Sequence, residues 1–90
     1  MARHELPLPT NIELDREIVR IWESNDGAPS TFIIDGRIWS DSGCWGLVAV
    51  DLMRHAARAF AQEHGVSAEA ALDRMRQVFD AEWDHPTDAS

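Results

Sequence analysis

The sequence has no lysine, no tyrosine and only one cysteine among its 90 residues. A single thiol excludes an internal disulfide and suits a reducing cytoplasm. Its longest apolar run, Cys44 to Val50, is interrupted by Gly46 and falls far short of the roughly 20 residues of a membrane helix. Met1 to Pro9 contains no apolar core of a secretory signal. Positive charge is scarce as well. Eight arginines face 16 Asp and Glu, for a net charge of -8, and such a field repels phosphate backbones and anionic lipid. Nucleic acid and membrane are therefore not expected partners. Arginine without lysine, together with abundant alanine, points to a GC-rich bacterial source.

A mass of 10.1 kDa fits one domain. A chain of this size buries only about 60 to 65% of its unfolded surface, so a thin core would gain from a partner subunit. Residues 1–12, with Pro7 and Pro9 around Leu8, show no apolar period and read as an extended arm. A compact α+β domain is expected over 13–84, followed by a short acidic tail over 85–90.

Within that domain, Ile18, Val19, Ile21 and Trp22 form a β-branched and aromatic run over 17–24 that stops at Asn25-Asp26-Gly27. This predicts a strand entering a tight turn. A helix over 13–23 is the competing reading, because Ile18, Ile21 and Trp22 also fit helical spacing. Phe32, Ile33, Ile34 and Ile38 mark a returning strand over 30–38, with a bend or bulge at Asp35-Gly36. If 25–28 form the loop, Val19 pairs with Ile34 and Ile21 with Phe32, and one face is wholly apolar. The other face carries Ile18, Trp22 and Ile33 beside Arg20, Thr31 and Asp35. One helical layer cannot cover both faces, so Ile18, Trp22 and Ile33 are the expected contact of a homodimer.

Ser40, Asp41 or Ser42 can cap a helix that runs to about His64 and stops at Gly65. Trp45, Val48, Ala49, Leu52, Ala56, Ala59 and Phe60 give it a broad apolar face, and Asp51, Arg54, His55, Arg58 and Gln62 a single polar stripe. Ser67 caps a second helix with Ala71, Leu72, Met75, Val78, Phe79 and Trp83 on its apolar side, ended by Pro86. The connection is two or three residues long, so the helices should lie antiparallel. The expected architecture is α+β, a two-stranded antiparallel hairpin packed on two antiparallel helices.

Asp51, Arg54, His55 and Arg58 form the sharpest chemical constellation. Asp51 stands three and four residues before Arg54 and His55, so a carboxylate could orient an imidazole beside two guanidinium groups, as an anion-binding or acid/base site requires. The plainer reading, an exposed helix face with ion pairs, is favoured. Cys44 lies where a helix N-terminus lowers a thiol pKa, but no histidine stands within a turn of it, so a small packed residue beside Trp45 is the better reading. His4, His55, His64 and His85 show no metal-ligand spacing. His85 beside Asp80, Glu82 and Asp84 reads as a fraying helix end rather than a loose ion site. No catalytic residue, metal or cofactor is assigned. Trp22, Trp39, Trp45 and Trp83 lack the basic neighbours of a base-stacking platform and read as core or interface fillers.

Arg20-Ile21-Trp22, Asp41, Trp45-Gly46, Asp51-Leu52, the run from Arg54 to Phe60, Phe79-Asp80-Ala81-Glu82-Trp83 and Pro86-Thr87-Asp88 together resemble a small bacterial family, domain of unknown function 5076. The likeness runs from about Glu17 to Asp88. Where members often have Asp-Pro, this chain has Asp41-Ser42. The resemblance implies a compact α+β domain and supplies no activity or ligand. The expected role is thus a non-catalytic, acidic, cytoplasmic interaction or regulatory module that self-associates. The alternatives are a small-molecule, anion or enzymatic site on the Asp51/Arg54/His55/Arg58 stripe, and an acidic protein partner of a basic protein.

Overall fold

The computed structural model describes residues 5–9 and 16–86. Most of the expected acidic tail, and residues 1–4 and 10–12 of the arm, lie outside them; residues 5–9 have no regular structure. The chain divides into two compact units, residues 1–40 and 41–90. The first holds a two-stranded antiparallel sheet and the second a pair of helices, an α+β composition.

The sheet pairs β1 (Val19–Trp22) with β2 (Thr31–Ile34). Its register sets Val19 opposite Ile34 and Ile21 opposite Phe32, as the alternation of apolar residues requires, and the helix reading of this segment falls away. One further bond, from the Asp35 N–H to the Ile18 carbonyl at 3.0 Å, extends the ladder. The loop is organised by Asp26, whose carboxylate accepts the Ala28 N–H at 3.0 Å and the Ser24 hydroxyl. Gly27 follows at φ 81°, where a side chain would be strained. The return strand is shorter than expected and does not reach Ile38. Asp35 ends it: its carboxylate accepts the Arg37 N–H at 3.1 Å and turns the chain away from the ladder. Arg16 also pairs with this carboxylate.

In the second unit, α1 (Gly43–His64) begins after Ser42. Ser42 makes no side-chain cap bond. Asp41 does the capping work one residue earlier, its carboxylate accepting the Gly43 N–H at 2.9 Å and its carbonyl the Cys44 N–H at 3.1 Å. Gly65 closes α1 in the left-handed conformation, φ 66°, with its N–H on the Ala61 carbonyl. Ser67 then caps α2 (Ala68–Asp84), accepting the Ala70 N–H at 3.0 Å. With only Gly65 and Val66 between α1 and the cap of α2, α2 folds back along α1 and packs on it.

The contact between the helices runs through small residues. Ala57 is 2% exposed and Ala71 7%, and these are the buried apolar residues among those described. Met53 and Ala61, one turn either side of Ala57, are half-buried, as are Ala68, Leu72 and Met75. This corrects the expected face of α1. Leu52, Ala56 and Phe60 lie on the next stripe round the helix, and all three are exposed, Leu52 by 56%. Two neighbouring i, i+4, i+8 stripes make an apolar arc wider than one partner helix covers, and the alanine stripe wins because it allows the closer approach.

Two tests follow from this geometry. Ser67→Ala should cost about 1 kcal/mol in urea unfolding through the lost cap, and Ala57→Leu about 1 to 3 kcal/mol through overpacking; unchanged midpoints would refute the cap and the crossing point. In the hairpin, the Ser24 hydroxyl and Ala28 N–H lower the Asp26 pKa, and Arg16 and the Arg37 N–H lower that of Asp35. A carboxyl with a depressed folded-state pKa contributes stability above its unfolded value, near pH 4, and loses it as the pH falls through the folded value. The strand-like NMR shifts of Val19–Trp22 should therefore decay below about pH 4. In Asp35→Asn they should already be weaker at neutral pH and fall less on acidification.

Candidate functional site

Helical spacing places Asp51, Arg54, His55 and Arg58 along one side of α1, and all four are exposed. The His55 ring is held by the helix backbone: Nδ1–H donates to the Asp51 carbonyl at 2.7 Å. The bond uses the peptide oxygen one turn back, not the Asp51 carboxylate. Among the described residues, no ion pair joins Asp51 to Arg54 or Arg58. Solvated guanidinium groups in this setting attract an anion weakly, because salt screens them over about 8 Å.

Concave surface occurs instead along the helix pair, where it is mainly apolar. One open groove of about 860 Å³ is lined on α1 by Leu52, Met53 and Ala56, and on α2 chiefly by Met75, Val78, Phe79 and Trp83. Its charged lining residues are Arg74 and Glu82. Trp83 is 75% exposed, and its ring stacks on Phe79 with centroids 5.7 Å apart. A second groove, of about 660 Å³, shares Met53, Phe79 and Trp83 with the first. Its rim carries Arg54, Asp73, Arg76 and Asp80, of which Arg76 Nε donates to both Asp80 carboxylate oxygens at 3.0 and 3.1 Å. Opposite Phe79 and Trp83, α1 offers Gly46, Ala49 and Val50, which are too small to cover the rings.

On the sheet, Ile21, Phe32 and Ile34 are exposed and Val19 is half-buried, so the apolar face formed by the strand register is largely open. On the opposite face Ile33 is exposed, while Trp22 and neighbouring Ile18 are half-buried. Cys44 is half-buried at the start of α1, and His85 follows α2 with its N–H on the Ala81 carbonyl. Among the described residues no group of three His, Cys, Asp or Glu side chains could hold a metal ion. No helix among the described residues is long and apolar enough to cross a membrane.

Leu52, Val78, Phe79 and Trp83, which helical spacing places on the apolar faces of α1 and α2, all line open grooves. Met53 and Arg74 carry no expectation from the sequence, and Glu82 figures there only as a neighbour of His85 and in the family-like run 79–83. The available signal was the doubled apolar stripe of α1, since Met53, Ala57 and Ala61 run beside Leu52, Ala56 and Phe60.

A family model described as "Domain of unknown function (DUF5076)" matches residues 5–87. No curated protein matches the sequence. A solved structure described as that of "a putative pyruvate dehydrogenase from the photosynthetic bacterium Rhodopseudomonas palustrus CGA009" is similar over 99% of this chain and 92% of its own, with 33% identity and a TM-score of 0.73.

The exposure of the α1 stripe sets an expectation for anions. Phosphate or a dicarboxylate at physiological ionic strength should shift the melting temperature of the native chain and of an Arg54→Ala, Arg58→Ala double variant equally. A shift confined to the native chain would establish an anion site on Arg54 and Arg58.

Proposed function

The chain belongs to the DUF5076 family, and we propose that it works as a non-catalytic interaction module whose first partner is another copy of itself. The observation that carries this reading is the imbalance between what is buried and what is not. Two alanines are the buried apolar residues among those described, while Leu47, Leu52, Phe32, Ile33, Val78 and Trp83 are each about half exposed or more. Of these, Leu52, Val78 and Trp83 line one groove, and contiguous exposed apolar surface is characteristic of association sites. Burying a large aliphatic or aromatic side chain is worth about 1.5 to 3 kcal/mol, so covering several of them is a substantial driving force on the scale of a small domain's stability of about 5 to 15 kcal/mol.

The activity in the description of the similar bacterial structure is not carried to this chain. Dehydrogenation of a 2-oxo acid calls for a cofactor to take up electrons. None of the five glycines stands in the G-x-G spacing of a dinucleotide loop, and the residues that line the grooves are mostly apolar. The net charge of -8 suits a basic protein as a further partner. The single cysteine suits a reducing bacterial cytoplasm.

Sedimentation of the full chain at tens of micromolar tests the reading: a dimer or larger species is expected, and a lone 10.1 kDa species would overturn it. Trp22→Arg probes the share of the sheet in that contact. If the Ile18, Trp22 and Ile33 face takes part, an unpaired charge there should cost several kcal/mol of association and shift the species toward monomer.

A further inference from the structure

We infer that the larger groove beside α2 is the seat of a second copy's α2, the two helices crossing antiparallel about a two-fold axis at Val78. This inference rests on the self-association reading above and adds where and how the copies meet. A chain of net charge -8 meets another of the same charge, so the copies can approach closely only where no net charge stands between them. The larger groove meets that condition, because its charged lining residues are one Arg and one Glu, Arg74 and Glu82.

Their positions matter as much as their signs. Both lie on α2, eight residues or about 12 Å apart at 1.5 Å per residue, with Val78 midway on the same i, i+4, i+8 stripe. A two-fold contact is self-complementary, so if residue i meets residue j, then j also meets i. With the axis at Val78, Arg74 of one copy faces Glu82 of the other, and the second such pair forms by symmetry. The residue on the axis meets its own counterpart and must be uncharged. Val78 is, and it is 49% exposed, ready to be covered. The neighbouring Ala81 is exposed and small enough to let two helix backbones approach closely.

The flanking apolar residues supply the area. Leu52 and Ala56 from α1, with Phe79 and Trp83 from α2, border the same groove. An α2 helix entering it would be gripped on both sides, and the two helix pairs would form a four-helix arrangement. A basic partner would need an acidic wall and an anion a cationic one; a groove with one charge of each sign offers neither. Arg74 also donates to the Gln77 amide oxygen at 2.6 Å within its own helix, and Glu82 has a partner within its own chain, so replacing either has a local effect that the experiment must separate from the effect on association.

The test is sedimentation equilibrium on the full chain with Arg74→Glu and Glu82→Arg variants. Each single variant sets like charges opposite one another twice per dimer and should weaken association at least tenfold. An equimolar mixture of the two should recover the native strength as a heterodimer, since each chain then carries the charges that the other lacks. The double variant should recover it as a homodimer. A local loss of helix stability would not be repaired by mixing. Val78→Arg, with its fold checked by circular dichroism, should give a monomer. If the native chain dimerises and the single variants do so equally well, or if they weaken and the mixture does not recover, this surface is overturned while self-association stands. A native chain that stays monomeric overturns both.

Discussion

The crossing of α1 and α2 at alanine governs the rest of the helical unit. Ala57 and Ala71 bring the two backbones together at a point where neither helix has bulk to keep them apart. A contact of this type is close but narrow. The large residues on either side, Leu52 and Phe60 on α1 and Val78, Phe79 and Trp83 on α2, cannot enter the seam and are pushed to its flanks. Grooves form because the helices cross closely at Ala57 and Ala71, while large exposed side chains stand along the flanks. The same choice of residues that fixes how the helices meet thus also determines that the pair, taken by itself, has unfilled apolar surface.

The ends of the elements are set by local polar chemistry that acts independently of that seam. Asp26, Asp35, Asp41 and Ser67 each accept a backbone N–H two or three residues ahead; Asp26 marks the turn between the strands, and the other three the end or start of an element. Such bonds cost little in chain entropy, because donor and acceptor are already neighbours. They explain why a chain with so little buried surface still has well-defined turns and caps.

These local signals are also what made much of the fold legible. The Asn25-Asp26-Gly27 turn, the Gly65 stop and the Ser67 cap can be recognised from residue type alone, and the alternation of Val19, Ile21, Phe32 and Ile34 fixed the strand register. The phase of α1 was harder to read. Alanine, leucine and phenylalanine all count as apolar in a periodicity argument, yet a helix-helix contact prefers the smallest of them, and two adjacent stripes competed for one partner. Asp35 was read as a bend inside a strand and is its end, because its carboxylate serves the next turn. The polar stripe of α1 was placed correctly on one side of the helix, but spacing cannot reveal whether the neighbouring surface is concave, nor that a peptide carbonyl holds His55.

The connections have a kinetic consequence. β1 meets β2 across one loop, and α1 meets α2 across Gly65 and Val66, so each pairing joins elements adjacent in the chain. Structures dominated by such local contacts have low contact order and form in microseconds to milliseconds. The hairpin and the helix pair therefore arise early in folding. In a self-associating chain the slow event becomes second order, with a rate set by protein concentration rather than by any rearrangement within the chain.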